Sequence, residues 1–163
     1  MKAGKQSGVV AVEFALIIGP MLIALFGITE LGRALYQYNA LVKATRSAAR
    51  YLAQQDLAIL SPADRTVIYN QTVSLAVCGH YSCAGKQPLA PGLGTDQVSL
   101  CDYETVACAY RGVDPLVGTL DLVSVTIGGP AHPFTFKSLI PWVVPDISFS
   151  AIEMTMAGPY RSP

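Results

Sequence analysis

From Gly8 to Phe26 the chain reads GVVAVEFALIIGPMLIALF, an apolar run interrupted by a single charge, Glu13. Roughly 20 apolar residues suffice to cross the hydrocarbon of a bilayer as a helix, so the pattern predicts a membrane span over residues 9–28. Gly19 and Pro20 fall inside it. Proline has no amide hydrogen and its ring crowds the carbonyl four residues back, which predicts a bend or local loosening at this pair. Beyond Phe26 the pattern becomes amphipathic with no intervening loop. Ile28, Leu31, Leu35, Tyr38, Leu41, Val42, Ala48, Ala49 and Leu52 recur at three- and four-residue spacings, the stripe of a helix with one buried face. A single helix from Val9 to about Gln54 follows. At 1.5 Å per residue it is roughly 70 Å long, so residues 29–55 continue it outside the membrane.

Residues 56–163 read as one small head. Ser61-Pro62-Ala63-Asp64 has the signals of a helix start, with Ser61 as cap and Pro62 in the first turn, and this second helix is expected to run to about Val77. Gly79 to Gly94 is rich in glycine and proline and reads as a surface loop. Strands are expected over Gln97 to Cys101, Thr105 to Tyr110, Asp121 to Ile127 and Ile147 to Met156. In the third, Val123, Val125 and Ile127 alternate with Ser124 and Thr126, the period of a sheet with one buried face. Phe134, Phe136, Leu139, Ile140, Trp142 and Val143, cut by Pro133, Pro141 and Pro145, are expected to cover the sheet, with Trp142 in the core. The fold class is α+β: a long N-terminal helix, a second helix and an antiparallel sheet of three to four strands. About 135 residues beyond the span allow one compact domain with a thin core.

Charge narrows the partners. The chain carries 11 Lys and Arg against 11 Asp and Glu, which excludes the basic domain that nucleic-acid binding requires. Lys43, Arg46 and Arg50 share a helix face, with Arg33 further back; they form either a solvated polar face or a contact surface for acidic patches on a neighbour. Four cysteines, Cys78, Cys83, Cys101 and Cys108, read as disulfides in a domain outside the cytoplasm. Of three possible pairings the local one is favoured, Cys78 with Cys83 and Cys101 with Cys108, since CGHYSC reads as a tight loop and SLCDYETVAC as a closed hairpin. Each short loop contributes roughly 2 to 2.5 kcal/mol on the chain-entropy account. His80 does not turn these spacings into a zinc site, and neither a metal nor another cofactor is expected.

Catalysis finds no seat. His80 and His132 stand beside glycine or proline, Gly92-Leu93-Gly94 is half a dinucleotide fingerprint, and the carboxylates nearest each other are Asp102 and Glu104, with Glu153 isolated. No nucleophile elbow, zinc helix or phosphate loop occurs. The chain is therefore expected not to be an enzyme.

Glu13 is the residue that needs a reason. An acidic side chain within a span costs on the order of 2.5 to 3.5 kcal/mol. A chain cut after Gly8 would carry an ammonium on Val9, about four residues or ~6 Å of helix rise from the Glu13 carboxylate, and such a pair could form within one chain or between neighbours. Lys2 and Lys5 ahead of the run place the N-terminus in the cytoplasm by the positive-inside rule, whether or not cleavage occurs.

The leader lysines, Gly8 and VVAVEF resemble the processing site of the type IV pilin superfamily, in which a prepilin peptidase cuts after the glycine. The stretch AVEFALIIGPMLIALFGITELGRALYQYNALVKATRSAARY resembles the N-terminal signature of TadE-like pseudopilins, minor components of the tight-adherence (Flp/Tad) pilus; TadF- and TadG-like proteins share the opening. The resemblance covers about the first third of the chain. It implies a leader over residues 1–8, an inner-membrane protein with a periplasmic head or a subunit carried outside the cell in the pilus, and a role in priming or capping an adhesive pilus. The implied partners are the peptidase, other pilins and pseudopilins including the major Flp-type pilin, the platform proteins and the lipid bilayer. The alternative is a permanently anchored scaffold whose head binds pilus or secretion components.

Overall fold

A computed structural model of the chain describes residues 7–103 and 121–159. Helix α1, Ser7–Ala53, is 47 residues long and carries Pro20 within it. Its two halves have different surroundings. None of its most apolar 18-residue window is buried, whereas beyond residue 29 it buries Glu30, Ala34, Gln37, Leu41, Thr45, Ala48 and Leu52 against the head.

That buried stripe is not wholly the expected one. Leu41, Ala48, Ala49 and Leu52 do lie in the core, but Ile28, Leu31, Leu35 and Tyr38 are exposed. The head meets this part of α1 through Glu30, Ala34 and Gln37, two hydrogen-bonding groups and one small side chain. Ile28, Leu31 and Leu35 are turned away and prolong the bare apolar surface of the first half.

Helix α2, Pro62–Cys78, begins where the capping chemistry requires: Ser61 Oγ accepts the Asp64 amide at 3.2 Å. It ends at Gly79, whose φ of 72° lies in the left-handed region and whose amide donates to Leu75, a conformation that costs glycine little. Thr45 and Thr72, buried on the facing helices, satisfy their hydroxyls on the carbonyls four residues back, Leu41 and Ile68, both at 2.8 Å.

The main sheet contains β1 (Val98–Cys101), β2 (Leu122–Ile127) and β5 (Ile152–Ala157), with β2 in the centre and both pairings antiparallel. The register sets Leu100 and Met154 on either side of Val125, and Val98 and Ile152 on either side of Ile127. One sheet face is thereby continuous and apolar, and packs on α1 and α2 in two layers around Leu41, Ala48, Leu52, Leu57, Ala76, Val77, Val123 and Val125. Burying a side chain of this size stabilises by about 1.5 to 3 kcal/mol.

A second, two-stranded sheet pairs β3 (Thr135–Phe136) with β4 (Ile147–Ser148). The expected strand over Ile147 to Met156 is thus two strands in two sheets. Between them the Phe149 amide bonds the Phe134 carbonyl at 3.0 Å, and the Phe149 ring stacks on Phe134 and tilts against Tyr38. That aromatic packing interrupts the run as the chain changes sheets. The strand expected over Thr105 to Tyr110 lies outside the described residues. Gly128, after β2, has φ 74°, and a Cβ there would stand 3.0 Å from the Phe134 amide nitrogen; backbone conformation and close approach both require glycine.

Phe134 and Phe136 are buried as expected, but Trp142 is not in the core: it is 72% exposed, and Leu139 is 75% exposed. Both belong to residues 137–146, the loop that joins β3 to β4 and contains Pro141 and Pro145, and they project from the head instead of lying over the main sheet.

Candidate functional site

The first turns of α1 put Val9 and Glu13 one helical turn apart, and both are exposed. They stand on a bare apolar helix. Gly19 and Pro20 follow on the same element, with Gly19 meeting no other atoms on its Cβ side. A helix of this length and composition, unburied over its apolar half, fits a single-pass membrane protein.

Where α1 meets the head, Glu30 organises a latch. Its Oε2 accepts from Arg33 at 2.8 Å and from Ser138 Oγ and the Leu139 amide, each at 3.3 Å. Arg33 also donates to the Lys137 carbonyl at 2.7 Å, and its guanidinium lies 4.4 Å from the centre of the Phe136 ring. Arg33 Nε is buried with no hydrogen-bond partner among the described residues, and the Phe136 ring face lies beneath the guanidinium. At the neck of the loop Lys137 pairs with Asp146 at 2.6 Å, and the Ser138 amide bonds Asp146 at 3.0 Å. Arg33 fastens Glu30 and β3, and so is set apart from the three other basic residues considered with it.

Both latch carboxyls are held below their ordinary range, Glu30 chiefly by the Arg33 hydrogen bond and Asp146 chiefly by Lys137. Groups lowered on folding stabilise fully above their unfolded values and lose that contribution as pH falls through the lowered ones. Amide protection at Ser138 and Leu139, corrected for intrinsic exchange, is therefore expected to hold at neutral pH and to fall below about pH 4. Protection independent of pH across that window would show that the carboxylates do not hold the loop.

Lys43, Arg46 and Arg50 are exposed on α1. Lys43 borders a groove of about 350 Å³ between α1 and α2, with Tyr36, Ser47, Leu75 and Leu89. Arg46 and Arg50 border a second hollow with Tyr51 and Tyr81. Tyr81 belongs to the loop closed by the Cys78–Cys83 disulfide, whose Cα atoms are 5.8 Å apart, and its ring meets Tyr51 at 5.1 Å. Tyr51 donates to Gln71 Oε1; burial first, and the neighbouring Tyr81 second, push its hydroxyl above the ordinary phenol value. With Cys78 and Cys83 oxidised, neither is a thiolate ligand beside His80. Cys101 is disulfide-bonded, and Cys108 lies outside the described residues.

Sequence reasoning missed the latch. Its one local signal was the Glu30-to-Arg33 spacing of three, which on a helix brings opposite charges together; the loop partners are more than 100 residues away.

No curated protein matches the chain, and no solved structure does. Residues 8–50, the stretch running from the first turn of α1 through its basic face, match the model of the family described as TadE-like protein, so over that helix the chain is similar to this family.

Proposed function

We propose that this chain is a minor pilin of a Tad pilus, a structural component and not an enzyme. It is made with its N-terminus in the cytoplasm, cut after Gly8 by a prepilin peptidase, and held in the inner membrane by α1 until it joins other pilins in priming or capping an adhesive filament. The observation that carries this reading is the bare apolar half of a TadE-like helix with Glu13 one turn from Val9. In the bilayer lipid covers that surface; in a filament, neighbouring helices do. Ile28, Leu31 and Leu35 extend the same exposed surface and enlarge the area available for lateral packing. Lys43, Arg46 and Arg50 then offer a charged rim to acidic groups on a neighbour.

Intact-mass and N-terminal peptide analysis of the protein from membranes of cells with and without the prepilin peptidase tests the processing step. The expected result is a chain beginning at Val9 only where the peptidase is present. Retention of residues 1–8 in both would overturn processing and leave a permanently anchored scaffold.

A further inference from the structure

We propose that the loop Lys137–Asp146 is a membrane-seating device that lays Leu139, Pro141 and Trp142 into the lipid interface on the head side of the bilayer. The inference rests on the reading of α1 as a span and adds a second point of contact to it. Depth is the first argument. From Gly8 to Gly27 the helix rises about 29 Å at 1.5 Å per residue, close to the roughly 30 Å of bilayer hydrocarbon. Gly27 therefore stands at the outer edge of the apolar layer. The loop reaches that level: Val143 Cγ1 lies 3.8 Å from the position a Cβ on Gly27 would occupy, and the Leu139 amide is bonded to Glu30 one turn above.

Chemistry is the second argument. The loop reads LIPWVVP between Ser138 and Asp146, and Leu139 and Trp142 are among the most exposed large apolar side chains of the described head residues. Tryptophan and apolar neighbours at this depth have the character of an interfacial anchor. Rigidity is the third. The Val143 and Val144 amides both bond the Ile140 carbonyl, at 2.9 and 3.0 Å, and the Lys137–Asp146 and Glu30–Arg33 pairs close the neck. The apolar tip is thus presented in one shape, so insertion does not have to order it. Because Lys137 and Arg33 are already paired with carboxylates, the loop engages lipid through apolar insertion and not through attraction to anionic headgroups.

Trp142 is the chain's single tryptophan and reports on itself. The full-length protein is reconstituted into phosphatidylcholine vesicles, flotation reads the span, and Trp142 fluorescence reads the loop. The expected result is co-flotation, blue-shifted emission, and loss of most of that emission with lipids brominated near the carbonyl end of the acyl chains, with weaker quenching from bromines near the methyl ends. A protein that floats but whose Trp142 is quenched by aqueous iodide and not by brominated lipid would overturn the seating loop and leave the span standing. Failure to float would overturn both. As a second variant, Leu139→Ser is expected to shift the emission toward that of water-exposed tryptophan; an unchanged spectrum would also count against insertion.

Discussion

Glu13→Ala is expected to leave the chain in the membrane and keep it out of the pilus. Insertion should be at least as efficient as in the parent, because the substitution removes a charge that costs on the order of 2.5 to 3.5 kcal/mol in a span. Incorporation should be lost, because of the two pairings open to Glu13, within the chain or between neighbours, the one we propose for the filament is with the Val9 ammonium of a neighbouring chain. A buried ion pair adds little stability over an apolar contact of the same size, yet removing one partner strands the other charge at a cost of about 3 to 5 kcal/mol. That asymmetry would make the proposed pair a device for axial register. The stranded Val9 ammonium would penalise a docked variant, whereas the bilayer can accommodate it at its surface. Immunoblots of sheared pili and of washed membranes check both halves. Unchanged abundance in sheared pili would sink the pairing idea, and Glu13→Asp, which keeps the charge on a shorter stem, separates register from charge.

The second large effect is expected in the head. Phe134 is almost completely buried, stacks on Phe149, and faces Gly128 at the end of β2. Truncating such a ring to alanine removes both its transfer free energy and its packing partners, a loss of about 3 to 5 kcal/mol. Small domains have a net stability of only about 5 to 15 kcal/mol, so Phe134→Ala should bring the head close to unfolding. Thermal melts of the full chain in micelles, followed by near-ultraviolet circular dichroism, are expected to show a much lower midpoint. The far-ultraviolet signal of α1 should persist, since micelle lipid and not the head covers its first half. A midpoint equal to the parent's would mean that the site collapses around the missing ring and that Phe149 alone ties the two sheets together.

One variant acts on the bare half of α1 and the other in the head packed on its second half, and that division reflects how the protein is built. What the residues by themselves determined are the features written in local pattern: the apolar run of α1 and its continuation as a long helix, the Ser61-Pro62 start of α2, the period-two alternation of β2, and the TadE-like signature between residues 8 and 50. Each arises within a few turns or a few residues, where periodicity and capping act without help from elsewhere. Glu13 stood out for the same reason, since one charge in an apolar run is visible without a fold.

Tertiary structure decided the rest. Which stripe of α1 is covered between residues 28 and 38 depends on what the head presents there: Glu30, Ala34 and Gln37 are covered where Ile28, Leu31 and Leu35 are not, and at that level the head offers hydrogen bonds to Glu30. The division of residues 147–157 between two sheets follows from Phe149 packing on Phe134 and Tyr38, partners that no period along the chain reveals. Trp142 has the composition of a core residue and the position of a surface one. Whether a large apolar side chain is buried is a property of the packed molecule, and here Gly27 and Glu30, more than 100 residues away in sequence, meet Val143, Ser138 and Leu139 and so set the loop that carries Trp142 against the apolar half of α1.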